Sequence, residues 1–175
     1  MNQSPRILIF TGDGKGKTTA ALGMALRAAG HGLRTCVLQF IKNDPSVGEL
    51  AAASTLANVA IHQTGLGFLP PPDDPRFAAH RAAAQQGLRM AEEVLADRQC
   101  VLLILDEICL AVARGLVDGR QVEQLLAHAS PEMCIVLTGR GATPELIAMA
   151  DTVTEMLCIK HGMQTGWADQ AGVER

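Results

Sequence analysis

An apolar run, Arg6-Ile-Leu-Ile-Phe10, passes directly into Thr11-Gly-Asp-Gly-Lys-Gly-Lys-Thr-Thr19, and an alanine-rich stretch extends from Lys17 to Ala29. No other feature limits the fold as much. The first run has the make-up of a buried strand, and the last reads as a helix ended by Gly30 and Gly32. Three glycines between them let the backbone turn its N–H groups toward a common point. A strand that feeds a helix through a turn of this kind opens a β–α–β unit, and such units build parallel sheets.

The rest of the chain continues the alternation. Strands are predicted at Thr35–Ile41, Val59–His62, Val101–Leu105, Cys134–Thr138 and Val153–Ile159, and helices at Phe77–Leu95, Gln121–His128 and Pro144–Met149, the last capped by Thr143. The fully apolar run Val101-Leu-Leu-Ile-Leu105 suits the centre of a sheet covered on both faces. Gly65 to Pro75, with its prolines and glycines, must be a loop. The expected fold is a single-domain α/β chain over residues 1–175, P-loop NTPase-like (RecA-like) and doubly wound. Its sheet should be mainly parallel, with helices on both faces. At 175 residues and 48% hydrophobic content the chain is long and apolar enough to bury its own core.

Composition removes some functions. A net charge of −3, with 3% aromatic residues and a single tryptophan, gives no electrostatic or stacking basis for nucleic-acid binding. Cys36, Cys100, Cys109, Cys134 and Cys158 form no C-x-x-C pair, and most sit in or beside apolar runs, so reduced thiols in a cytoplasmic protein are expected. No apolar stretch at the start is long enough for a signal sequence or membrane span.

The loop chemistry is specific. A strict phosphate-binding loop reads G-x-x-x-x-G-K-[ST], and Gly16-Lys17-Thr18 supplies its second half. The first glycine position holds Thr11, with Gly12 and Gly14 inside the turn instead. Gly12, Asp13, Gly14, Lys15, Gly16, Lys17, Thr18 and Thr19 are thus expected around a nucleotide's phosphates. Lys17 would reach the phosphate tail, and the Thr18 hydroxyl would ligate Mg²⁺ (or Mn²⁺). Asp106-Glu107 follows the most apolar strand, which makes Asp106 a metal-holding residue and Glu107 a contributor to the metal shell or the substrate side. These motifs leave the reaction open. A hydrolase or a small-molecule kinase could also use them.

The ordered set of segments narrows the choice. Phe10–Ala20, Val37-Leu-Gln-Phe-Ile-Lys42, Gly48-Glu49, Gly67-Phe68, Ile104-Leu-Asp-Glu107, Leu137-Thr-Gly-Arg-Gly141, Ala150–Met156, Lys160-His161 and Gly172-Val-Glu174 occur in one sequence order. Together they resemble the P-loop cob(I)alamin/cob(I)yrinic acid a,c-diamide adenosyltransferases, from about Arg6 to the C-terminus. The resemblance implies transfer of the 5′-deoxyadenosyl group of ATP to the Co(I) of a reduced corrinoid, with release of inorganic triphosphate. It implies ligand-facing roles for Gln39, Lys42, Glu49, Phe68, Thr138 and Arg140, and a shared rim at Glu155, Lys160 and His161. It also implies a homodimer and a flavoprotein electron donor. A non-catalytic, ATP-dependent corrinoid-binding protein is the competing reading within the same resemblance.

Four features depart from that family's pattern. An aromatic often follows Gly-Phe where this chain has Pro70. A tyrosine often follows Asp-Glu, where Ile108-Cys-Leu-Ala111 stands. An aromatic is usual where Met163 stands, and many members carry a longer arm before the first strand. All four are expected on the side that would face the corrin, with Leu66, Phe68 and Leu69 supplying apolar contact in their place.

Overall fold

The computed structural model describes residues 4–173. Six strands form one sheet: β1 (Arg6–Thr11), β2 (Thr35–Gln39), β3 (Val59–Gln63), β4 (Leu102–Asp106), β5 (Cys134–Thr138) and β6 (Thr152–Glu155). Their spatial order is β3-β2-β4-β5-β1-β6, and every described pairing is parallel. The expected doubly wound α/β layer is the observed one.

Helices α1 (Lys17–Gly30), α2 (Gly48–Ala53), α3 (Phe77–Asp97), α4 (Ile108–Ala113), α5 (Gly119–Ala127) and α6 (Pro144–Met149) alternate with the strands. The two-residue period of the strands divides the core between the two sheet faces. Leu102 and Ile104 of β4 join Val37, Val136 and the small α1 residues Ala21 and Ala25 on one face. Leu103 and Leu105 join Leu38, Ile135, Leu137 and the apolar sides of α3, α4 and α5 on the other. The central strands β2 and β4 are buried along their whole length.

Two short helices, α2 and α4, have no counterpart in the sequence prediction. Helix α2 is six residues, half of them alanine, and α4 places Ile108, Cys109 and Ala111 in the core with no accessible surface. Neither shows the polar–apolar period that marks a surface helix. Strand β2 stops at Gln39 rather than Ile41, and β6 stops at Glu155 rather than Ile159. The second ending has a clear cause. The Met156 carbonyl turns to accept the Gly14 N–H at 2.7 Å, which draws the chain over the phosphate-binding loop.

Candidate functional site

Parallel strands of an open sheet point their carboxyl ends to one edge, and ligands bind there. Strand β1 delivers the loop Gly12–Gly16 to that edge. Gly16 adopts φ 116° as it enters α1, whose first turn has no side-chain cap. Its N–H groups and the helix dipole thus favour an anion. Gly12 and Gly14 have a second reason to lack side chains. A Cβ on Gly12 would lie 2.5 Å from the Met156 carbonyl oxygen, and one on Gly14 2.7 Å from those of Met156 and Leu157. The segment after β6 is packed that closely against the loop.

Lys17 is buried, and its ammonium donates to the carbonyls of Gly12 and Gly14, both at 2.7 Å. Burial lowers its pKa, while the nearby Glu107 carboxylate acts in the opposite direction. The hydroxyl of Thr18 donates to Asp106 Oδ1 at 2.8 Å, and so does that of Thr138, at 2.7 Å. Asp106 Oδ2 receives the Gln39 amide at 3.2 Å and lies 3.7 Å from Lys42 Nζ. Asp106 has no accessible surface; three hydrogen-bond donors converge on its two oxygens, and the Lys42 ammonium adds an ion-pair contact. Burying a carboxylate is costly unless its lone pairs are met in this way.

Glu107 is the exception beside it. Its backbone is left-handed, φ 63°, held by the Thr138 hydroxyl, which accepts the Glu107 N–H at 2.9 Å. Its Oε2 is buried and has no hydrogen-bond partner. Burial pushes the Glu107 pKa up, the Asp106 charge adds to the rise, and Lys17 and Lys42 offset part of it. Backbone strain and an orphaned carboxylate oxygen beside a phosphate-binding loop both mark a functional position.

Residues 3–175 match the family model described as ATP:corrinoid adenosyltransferase BtuR/CobO/CobP. The chain belongs to this family. A corrinoid adenosyltransferase of Pseudomonas aeruginosa is 40% identical over 172 residues, which covers 96% of this chain and 82% of that protein. One of Escherichia coli K12 is 34% identical over 168 residues, covering 96% and 84%. A third, from Sinorhizobium, is 38% identical over 171 residues, covering 96% and 79%. Corrinoid adenosyltransferases are transferases of cobalamin biosynthesis that take ATP and a corrinoid. The hydrolase and kinase readings left open by the residues, and the non-catalytic binder reading, are not favoured.

Within this corrinoid adenosyltransferase framework, the other sequence-predicted residues separate into two groups. Lys42 and Glu49 form an ion pair of 2.9 Å on the exit from β2. Burial opposes charge on both, but Asp106 and Glu49 outweigh it for Lys42, raising its pKa, and the Lys42 bond outweighs it for Glu49, lowering its pKa. Gln39 is fully buried, its amide engaged with Asp106, Glu49 and Gln63. Arg140 and Asp13 pair across the loop at 3.8 Å with both side chains exposed. Thr19 is exposed on the first turn of α1.

The second group lies on the loops and the C-terminal segment. Of the three residues expected to give apolar contact, Leu66 and Phe68 are exposed, and Leu69 is half-buried against the core. The stretch expected to face the corrin after Asp106-Glu107 faces inward instead: Ile108, Cys109 and Ala111 are core residues, and Leu110 alone is half-buried. Residues 157–173 fold back toward the phosphate-binding loop, where Lys15 Nζ donates to the Val173 carbonyl at 2.7 Å. They border an open cavity of about 720 Å³ lined in part by Lys15, Leu157, Lys160, His161, Met163 and Trp167. Lys160 and His161 therefore lie at one rim near the loop, but Glu155 does not line it. Glu174 lies outside the described residues.

Sequence reasoning missed Gln63, Thr11 and the backbone of Met156. Thr11 Oγ1 accepts the Ala142 N–H at 3.2 Å, which ties the loop's first residue to the turn after β5. These roles follow from which strands are neighbours, and no local motif encodes that. All five cysteines are free; Cys36 and Cys109 are buried, with burial raising the pKa of each to about 12, and Cys158 is exposed. Among the described residues, no helix is long and apolar enough to cross a membrane.

Proposed function

We propose that this chain transfers the 5′-deoxyadenosyl group of ATP to the Co(I) of a reduced corrinoid and releases inorganic triphosphate. One observation carries the assignment of residues: the phosphate-binding loop is joined through Thr18 to the fully buried Asp106 on the neighbouring part of the sheet edge. The cobalt–carbon bond forms as the bond from C5′ to the triphosphate oxygen breaks, so negative charge grows on the leaving group. Co(I) is already a strong nucleophile, and no side chain has to remove a proton to create one. The protein's tasks are alignment and charge stabilisation.

Lys17 would exchange its two carbonyl partners for triphosphate oxygens, and the Gly12–Gly16 amides with the first turn of α1 would hold the rest. Lys15 and Arg140 stand at the outer side of the same loop, where a cation can meet phosphate. Thr18, Asp106 and Glu107 would hold Mg²⁺ or Mn²⁺. Their fit rests on donor type and on one orphaned atom: all three offer hard oxygens, and Glu107 Oε2 is buried without a partner. Among the described residues no group of three His, Cys, Asp or Glu side chains could close a cation site. A cation held here would need phosphate and water to complete its shell, as Mg²⁺ at nucleotide sites does. It would supply further neutralisation of the leaving triphosphate.

Phe68, exposed on the loop before α3, is the proposed apolar contact for the corrin. A homodimer, a flavoprotein that reduces the cobalt, and a cytoplasmic location complete the proposal. Anaerobic incubation with ATP, Mg²⁺ and chemically reduced corrinoid tests it. Intact triphosphate and a light-sensitive alkyl-cobalt product are expected; ADP and phosphate as the only products would overturn the reading.

A further inference from the structure

Gln63, Gln39 and Asp106 stand at the carboxyl ends of three adjacent strands and are register partners across β3, β2 and β4. Partners in register present their side chains on one face. Here they form a directed row. Gln63 Nε2 donates to Gln39 Oε1 at 3.0 Å, and Gln39 Nε2 donates to Asp106 Oδ2 at 3.2 Å and to Glu49 Oε1 at 3.4 Å. A primary amide has a donor end and an acceptor end, and only its partners decide which way it is turned. Asp106 and Glu49 as carboxylates can only accept. The Gln39 amide must therefore keep its NH₂ toward them, and its carbonyl toward Gln63.

We propose that Gln63 is a positioning residue for the nucleotide site, a reading that rests on the function proposed above. By donating to the carbonyl end of the Gln39 amide, it holds the donor end on Asp106 and so orients the carboxylate that also receives Thr18. Turning that amide over would put a carbonyl oxygen against two carboxylates inside the protein, where such repulsion is poorly screened. A different role for Gln63 also fits its place in the chain. It directly precedes Thr64 and Gly65, whose N–H groups donate to the Gln39 carbonyl at 3.0 and 3.3 Å, and they lead into the loop that carries Phe68. A residue that only anchored this loop would affect the corrin side and leave the nucleotide alone.

Two substitutions separate these roles. Gln63→Glu cannot donate when ionised and drives the Gln39 amide to turn round; Gln63→Met has similar length and simply releases it. Mg·ATP binding is measured by calorimetry without corrinoid, together with thermal melting and the corrinoid KM. Gln63→Met is expected to weaken Mg·ATP binding roughly 3- to 5-fold, and Gln63→Glu roughly 10- to 100-fold, the range for a buried polar group that loses or opposes its partner. Corrinoid KM of both should match wild type, and the Met variant should melt a few degrees lower, because the buried Gln39 carbonyl loses its donor. Unchanged Mg·ATP affinity in Gln63→Met, equal losses in the two variants, or a raised corrinoid KM with ATP binding intact would each overturn the proposal. A wild-type chain that released ADP and phosphate in place of triphosphate would instead sink the proposed function, and the ATP titration would still read the amide row.

Discussion

The carboxyl edge of the sheet and the covering segments around it are built on different terms. At the edge, Asp106 is fully buried, three hydrogen-bond donors and the Lys42 ammonium surround its oxygens, and Lys17, Thr18, Gln39 and Thr138 are each fixed by at least one hydrogen bond. The covering segments instead leave large apolar side chains in solvent: Phe68 on the loop before α3, and Leu157, Ile159, Met163 and Trp167 after β6. A charged pocket must be preorganised before its ligand arrives, since dipoles that need rearranging lose part of their effect. An apolar contact for a large flat ligand needs no such network, because burial itself supplies the energy. The difference fits the proposed fixed grip on triphosphate and the looser one proposed for the macrocycle at Phe68.

Four substitutions would break or sharpen that comparison. Lys17→Ala removes the central charge on the leaving group and should cost about 2–4 kcal/mol of transition-state stabilisation, a fall of roughly 30- to 900-fold in kcat/KM for ATP. Steady-state kinetics checks this, and an unchanged kcat/KM would leave the rigid edge without its proposed purpose. Gly14→Ala drives a Cβ into the carbonyls of Met156 and Leu157, where backbone cannot easily yield. It should lower stability by roughly 1–3 kcal/mol in denaturant melts and weaken ATP binding in parallel.

Phe68→Ala tests the covering side. With the ring fully exposed, stability should change by less than about 0.5 kcal/mol, while the corrinoid KM rises roughly 5- to 30-fold and ATP affinity holds. Equal losses for both substrates would mean the two regions are not separable. The smallest expected effect belongs to Glu107→Gln. Burial raises the pKa of Glu107, so the folded protein binds more protons than the unfolded chain once pH exceeds the ordinary carboxylate value. The group's contribution to stability therefore falls as pH rises through that window. Removing the carboxylate should raise the melting temperature of the ligand-free protein by a few degrees at neutral pH, and by less near pH 4. Calorimetry at two pH values checks the sign.

Much of the rigid edge was legible in the chain. The loop Gly12–Thr18 and the pair Asp106-Glu107 follow apolar strands at spacings whose chemistry is local, and the structure joins them through Thr18. The covering side was less legible. Ile108-Cys-Leu-Ala111 reads as a ligand-facing stretch, but α4 turns three of those residues into the core. Leu66, Phe68 and Leu69 read as equivalent apolar contacts, but the loop turns Leu69 partly inward while leaving Leu66 and Phe68 outside. A helix or loop of a few residues has no long period to reveal which side will face inward.

The sequence by itself determined the alternation of strands and helices, the phosphate-binding turn and the acidic pair, because each depends on residues close along the chain. Tertiary structure decided that β4 lies between β2 and β5, and so which side chains surround Asp106. It set Gln39 in a buried row with Asp106 and with Gln63, a residue no motif marks. It also explained Gly12 and Gly14 a second time, as the space into which the chain after β6 packs. Neighbours across a sheet are chosen by the packing of the whole core, and a carboxylate's environment is set by those neighbours.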